Sequence, residues 1–130
     1  MTTLRRCAVS LSALGLLALV PAVADAKTVT VRSSGLTASL KIGDRLVVSV
    51  AENPSTGYGW KTTARPSFLR QLSSTYKATP VDPGVVGGGG RRIITFKATK
   101  KGSGSLKLVY RRSFAPDAGD TRFTVRVTVR

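Results

Sequence analysis

Histidine is absent from this chain, and its one cysteine, Cys7, lies close to the amino terminus. Without histidine there is no imidazole base and no nitrogen ligand for a metal, and a single cysteine forms no internal disulfide. Acidic residues are scarce too, 6 against 21 basic ones. Past residue 26 the acids are Asp44, Glu52, Asp82, Asp117 and Asp120, and only the last two are near neighbours. They sit in "APDAGD", a Pro/Gly turn that favours aspartate for its own backbone reasons, so a hydrolytic carboxylate pair is unsupported. Past residue 26 there is also no helical period and no apolar run long enough to span a bilayer. These absences argue against an enzyme and against a cofactor or bound metal.

The first 26 residues have the order of a secretory signal peptide. Arg5 and Arg6 precede an apolar run from Ala8 to Val20, followed by Pro21 and the small-residue triplet Ala24-Asp25-Ala26. The run is shorter than the ~20 residues of a membrane-spanning helix, so a retained anchor is the weaker reading. Cleavage after Ala26 is expected, removing Cys7 and leaving one secreted or periplasmic domain, residues 27–130, with no membrane span and no crosslink. Loss of Arg5, Arg6 and Asp25 changes the formal charge from +15 to +14. So basic a domain favours anionic partners. Its cations are spread among strand-like segments with no recognition-helix pattern, so no specific nucleic acid is expected. A monomer is expected.

What remains alternates. In "TRFTVRVTVR", Phe123, Val125, Val127 and Val129 share one face, and Arg122, Thr124, Arg126 and Thr128 the other. That is a half-buried antiparallel strand. Leu106, Leu108 and Tyr110 form another apolar face, as do Ile94, Phe96 and Ala98, then Leu46, Val48 and Val50, and then Val29 and Val31. With turn residues as boundaries, strands are predicted over 28–33, 36–42, 45–51, 59–64, 71–77, 92–99, 105–112 and 121–130. Seven to eight short strands in this length imply an all-β, immunoglobulin-like antiparallel sandwich. If each connection from the third strand onward reverses direction, the loops after the third, fifth and seventh strands share one end. Those are the unusual loops: "ENPSTGYG", "VDPGVVGGGGRR" and "RSFAPDAGD".

Each loop has a bland and a functional reading. Trp60, the only tryptophan, falls at the start of a strand where sandwich domains bury one; as core it would anchor the preceding loop. Tyr58 would prop the loop's base, leaving Pro54, Ser55 and Thr56 as an exposed tip and Gly57 at a turn. The run Gly87 to Gly90 is either flexible linker or a backbone that a partner must approach closely. Arg112 and Phe114 are either an ordinary turn beside a core aromatic or a cation-and-ring contact pair of the kind found at binding hot spots.

"NPSTGYGW" at 53–60, "GGGG" at 87–90 and "YRRSFAP" at 110–116 together resemble the loop motifs of the chagasin-like inhibitors of papain-type cysteine peptidases. In that family the first loop typically reads Asn-Pro-Thr-Thr-Gly-Tyr-x-Trp, the second Gly-x-Gly-Gly and the third Arg-Pro-Trp. Order, spacing and flanking strands match across residues 27–130. The resemblance implies a reversible inhibitor whose three loops enter a papain-family active-site cleft. It implies that Asn53 to Tyr58 and Trp60 form the first binding element, with Pro54, Ser55 and Thr56 in the cleft and Thr56 nearest the catalytic cysteine. Gly87, Gly89 and Gly90 would lie along the non-primed side, and Arg112 and Phe114 along the primed side. Ser113 stands where the family has proline and Phe114 where it has tryptophan. The first change loosens the free loop, at about 0.4–1 kcal/mol by analogy with proline effects on folding, and the second removes indole area and its N–H donor. The charge leaves a different class of function open beside this one: a basic extracellular binding module for anionic polymers or cell-envelope surfaces.

Overall fold

Period-two alternation becomes eight strands in the computed structural model, which describes residues 15, 25–80, 82–84, 88–112 and 120–130. They are β1 (Thr28–Val31), β2 (Thr37–Leu40), β3 (Arg45–Glu52), β4 (Tyr58–Ala64), β5 (Leu69–Ala78), β6 (Gly90–Ala98), β7 (Gly102–Arg112) and β8 (Thr121–Val129). One 3-10 turn, Pro54–Thr56, separates β3 from β4. The signal-peptide expectation falls on residues that, apart from 15, 25 and 26, lie outside the described ones.

The strands form two four-stranded sheets, ordered β1-β3-β6-β5 and β2-β8-β7-β4. Every connection reverses direction, and that single rule explains the pairing. Neighbours an odd number of strands apart (β3–β6, β5–β6, β4–β7, β7–β8) are antiparallel. Neighbours an even number apart, β1–β3 and β2–β8, are parallel. The sandwich is therefore immunoglobulin-like, with each sheet carrying one parallel edge pair beside its antiparallel pairs.

The inward faces are those the alternation marks. Leu46, Val48 and Val50, Ile94, Phe96 and Ala98, Leu106 and Leu108, and Phe123 to Val129 at every second position are all buried in one core. Shifting any of these strands by one residue would turn its apolar set to solvent and its Arg, Lys and Thr residues inward, so burial fixes the register.

At the end remote from the three unusual loops, Asp44 is only 6% exposed. Its carboxylate accepts the backbone N–H groups of Lys41 at 2.8 Å and Lys27 at 3.0 Å, tying the start of the domain to the β2–β3 turn. These bonds, Lys41's first and then Lys27's, hold the carboxyl below the usual aspartate range against the opposing effect of burial. A folded-state pKa below the unfolded one contributes stability above the unfolded value, lost as pH falls through the folded value. Asp44→Asn should therefore lower Tm at pH 7 and flatten the acid limb of a Tm-against-pH curve below pH ~4, where an unperturbed aspartate titrates. Parallel wild-type and variant curves would show that the carboxylate's charge does not matter.

Candidate functional site

The connection from β3 to β4 holds its own shape. Asn53 is extended (φ −127°) and caps the 3-10 turn, its Oδ1 accepting from Ser55 N–H at 3.2 Å and from Ser55 Oγ at 2.6 Å. The Asn53 carbonyl accepts from Thr56 N–H at 3.2 Å and Thr56 Oγ1 at 2.7 Å. Gly57 closes the turn at φ 78°, a left-handed angle that side chains resist, and donates to the Pro54 carbonyl at 3.1 Å. Pro54, Ser55, Thr56 and Gly57 are exposed. The tip is thus outward and internally bonded, so little ordering is left for a binding event.

Its root is pinned across both sheets. The Tyr110 hydroxyl of β7 accepts from Asn53 N–H at 3.0 Å, and Trp60 Nε1 of β4 donates to the Ala51 carbonyl of β3 at 2.8 Å. Trp60 stacks on Tyr110 with centroids 5.0 Å apart and meets Phe123 edge-on at 6.1 Å. Tyr58 lies 5.4 Å from Tyr110 on the other side, and the Arg112 guanidinium sits 4.9 Å over the Tyr58 ring. Arg112, the last residue of β7, is in register with Tyr58, so the cation closes an aromatic stack that begins in the core. Trp60 packs against the core while remaining only partly buried.

The glycine run reaches the same end from the other sheet. Gly90 opens β6 in register with Glu52 of β3 and Ala78 of β5. The Gly89 carbonyl accepts from Thr79 N–H at 3.1 Å. A Cβ built on Gly89 would lie 3.4 Å from the Glu52 carbonyl oxygen and 3.7 Å from Asn53 Cβ, so this backbone runs against the root of the first loop. Between them is an open groove of about 540 Å³ lined by Glu52, Asn53, Thr79, Gly89 and Tyr110.

Beneath the groove, Glu52 is only 5% exposed and is gripped at both oxygens by Arg92, Nη2–Oε1 2.7 Å and Nε–Oε2 3.0 Å. The fork-on-fork pair satisfies a carboxylate that could not otherwise be buried there. Its bond to Glu52 raises the Arg92 pKa further. The Arg92 guanidinium also sits 5.9 Å over the Tyr76 ring of β5. Residue parity hints at this: Glu52 follows Val50 by two and Arg92 precedes Ile94 by two, so both point inward where the sandwich opens.

Residues 39–129 match the family model described as Chagasin family peptidase inhibitor I42. The chain belongs to the chagasin family of peptidase inhibitors. It is 35% identical over 104 residues to Amoebiasin-1 of Entamoeba histolytica, spanning 78% of this chain and 98% of that one. Its fold is similar to the crystal structure of the cysteine protease inhibitor EhICP2 from Entamoeba histolytica, with TM-score 0.74 and 25% identity over 82% of this chain and 99% of that one. It is similar also to the solution structure of Amebosin, with TM-score 0.67 and 31% identity over 80% and 98%.

Seen as a chagasin-family domain, the chain gathers most of the expected residues at one end. Asn53, Pro54, Ser55, Thr56, Gly57, Tyr58 and Trp60 belong to one self-bonded loop and its root, with Gly89 beside it and Arg112 stacked onto it. Gly90 is buried between strands, which gives its lack of a side chain a packing reason independent of any partner. Gly87 and Phe114 lie outside the described residues, as does Ser113. Sequence reasoning did not single out Tyr110 as the residue joining loop to core, nor the Glu52–Arg92 pair. Tyr110 was placed correctly on an inward face, but nothing in the sequence shows where its hydroxyl ends.

Proposed function

We infer that this protein is a reversible inhibitor of papain-type cysteine peptidases, blocking the active-site cleft with the loop end of its sandwich. The observation that carries the reading is the exposed tip Pro54–Thr56 held by its own hydrogen bonds on an aromatic stack. Family membership supports it. The tip enters the cleft with Thr56 foremost, the Gly87–Gly90 backbone lies along one side of it, and Arg112 with Phe114 along the other. No scissile bond need be offered in attacking geometry, so the inhibitor leaves intact and does no chemistry of its own. Lacking histidine, it changes charge little between pH 5 and 8, which suits enzymes of mildly acidic fluid.

Export with cleavage after Ala26 belongs to the same reading. Lys27, the first residue after that point, is bonded into the domain: its N–H donates to Asp44 Oδ1 at 3.0 Å and its carbonyl accepts from Arg45 N–H at 2.8 Å. Among the described residues no helix is long and apolar enough to cross a membrane.

The test is to incubate the protein with papain and follow residual hydrolysis of a small fluorogenic peptide. Activity should fall stoichiometrically, return on dilution, and leave the inhibitor uncut by mass spectrometry. Full activity at micromolar excess of inhibitor would overturn the reading for papain-like targets.

A further inference from the structure

The strong positive charge has no role in a loop wedge; both sheets carry five strand cations on their outward faces, Arg45, Arg70, Lys77, Arg91 and Lys97 on one, but on the other they lie along an open groove. On the β2-β8-β7-β4 sheet the outward positions are those alternating with Leu106, Leu108, Phe123, Val125 and Val127. They carry Lys61 on β4, Lys107 and Arg111 on β7, and Arg122 and Arg126 on β8. Lys61 and Arg122 flank Val109 in register from the two neighbouring strands, and Val109 is only 7% exposed although it faces outward. Cationic side chains laid over an apolar residue keep their stems down and their charged heads up. Lys107 is in register with Thr124, and Ser105 with Arg126. At strand spacings of ~4.8 Å and ~3.4 Å per residue, the five cations cover a patch of roughly 20 by 10 Å.

Across this face runs an open groove of about 870 Å³ lined by Lys107, Arg111, Arg122, Thr63, Thr124 and Asp120. Among the described residues the one ion pair is Glu52–Arg92, so none of the five cations is paired with a described carboxylate. Asp120 is the one acid among the described residues lining the groove, so it offsets at most one of the three cations that line it, Lys107, Arg111 and Arg122.

We propose that this sheet face is a binding site for a linear anionic glycan, one with closely spaced sulfate or carboxylate groups and free hydroxyls. Unpaired cations supply the attraction, and the Thr63 and Thr124 hydroxyls lining the groove suit sugar hydroxyls. No aromatic side chain is among the described residues lining the groove, so none of them offers a platform for stacking bases. The exposed large apolar residues among those described, Leu36, Ile42 and Leu72, do not line it, so nothing there would insert into a bilayer. The face lies on the side of the sandwich, whereas Thr56 and Gly89 lie at its end. A glycan held here would leave the inhibitory tip free, concentrating the inhibitor on an anionic matrix.

The experiment measures binding of the purified protein to a heparin oligosaccharide at several salt concentrations, beside a DNA duplex and phosphatidylglycerol vesicles. Two triple variants are compared: Lys107→Ser/Arg122→Ser/Arg126→Ser on the face that carries the groove, and Arg45→Ser/Arg70→Ser/Lys77→Ser on the other sheet, with the same loss of charge. The groove variant should lose at least tenfold in heparin affinity at 150 mM salt, and its log–log salt slope should fall by roughly one per cation removed. The other variant should lose no more than about threefold, and both should inhibit papain as wild type does. Equal losses in the two variants would overturn the proposal, reducing the effect to net charge. So would tighter binding to duplex or vesicles than to heparin, or no heparin binding at 150 mM salt. Papain inhibition is read separately, so failure here is distinct from failure of the inhibitor reading.

Discussion

Thr56→Arg should raise the inhibition constant for papain at least a hundredfold, close to 2.8 kcal/mol at about 1.4 kcal/mol per tenfold, while the domain stays folded. Thr56 is exposed, at the crest of a turn whose shape comes mainly from Asn53 and Gly57. The substitution removes two local bonds, the Oγ1 donation to the Asn53 carbonyl at 2.7 Å and acceptance from Tyr58 N–H at 3.3 Å. Both are solvent-exposed, so the stability cost is about 1 kcal/mol or less. In the proposed docking a long cation at the tip has no such escape, because the self-bonded tip cannot move aside without breaking the turn. Thr56→Ser keeps the hydroxyl and should stay within a few-fold of wild type. An arginine variant that inhibits as well as wild type would show that this loop is not the wedge.

Which strands were hard to read has a physical explanation. β3, β6, β7 and β8, whose apolar residues alternate in the sequence, line the core. β4 and β5 are edge strands, and each contains a bulge, between Thr62 and Ala64 and between Gln71 and Ser73. A bulge adds one residue and reverses the parity after it, so the alternation cancels just where one looks for it. β5 is also exposed along almost its whole length, with Leu69 its one buried residue, and so has little apolar signal. β7 begins at Gly102, inside what reads as a turn. Side chains there would collide with Phe68: a Cβ on Gly102 would meet the ring at 2.6 Å, so glycine marks ring packing and not a reversal.

The loop end was legible for a different reason. Chain reversal alone places the connections after β3, β5 and β7 together, and the register confirms that Glu52, Ala78 and Gly90 share one row while Tyr58 and Arg112 share another. Motif spacing supplied the rest of the first loop. What spacing could not supply was attachment: the Tyr110 hydroxyl and the Glu52–Arg92 pair act between residues 57 and 40 positions apart, and only the folded register brings them together.

The glycine run separates packing from recognition, and Gly90→Val is the sharper half of that experiment. A Cβ at Gly90 would overlap the Lys77 carbonyl oxygen and lie 2.7 Å from the Tyr76 hydroxyl and 2.8 Å from Ala78 Cα. Two of those three are backbone atoms of the neighbouring strand, which cannot swing away as a flexible side chain would. Relief requires β5 to part from β6 at the loop end, beside the Arg92–Tyr76 contact. The cost is on the order of 3 kcal/mol, the upper part of the range for overpacking. For a domain of this size that is a fall of roughly 10 °C or more in Tm. Gly89 behaves oppositely. A Cβ there meets its nearest neighbour, the Glu52 carbonyl oxygen, at 3.4 Å, so Gly89→Ala should fold with nearly wild-type Tm. Gly89→Trp would place a large ring where the proposed docking brings the peptidase against the backbone, and should weaken papain inhibition by a hundredfold or more. Thermal melts and inhibition assays on the three variants give two axes: Gly90→Val should fail chiefly in the melt and Gly89→Trp chiefly in the assay. A Gly90→Val protein as stable as wild type would show that β5 and β6 are not packed backbone to backbone there. Unchanged inhibition by Gly89→Trp would remove the glycine loop from the interface.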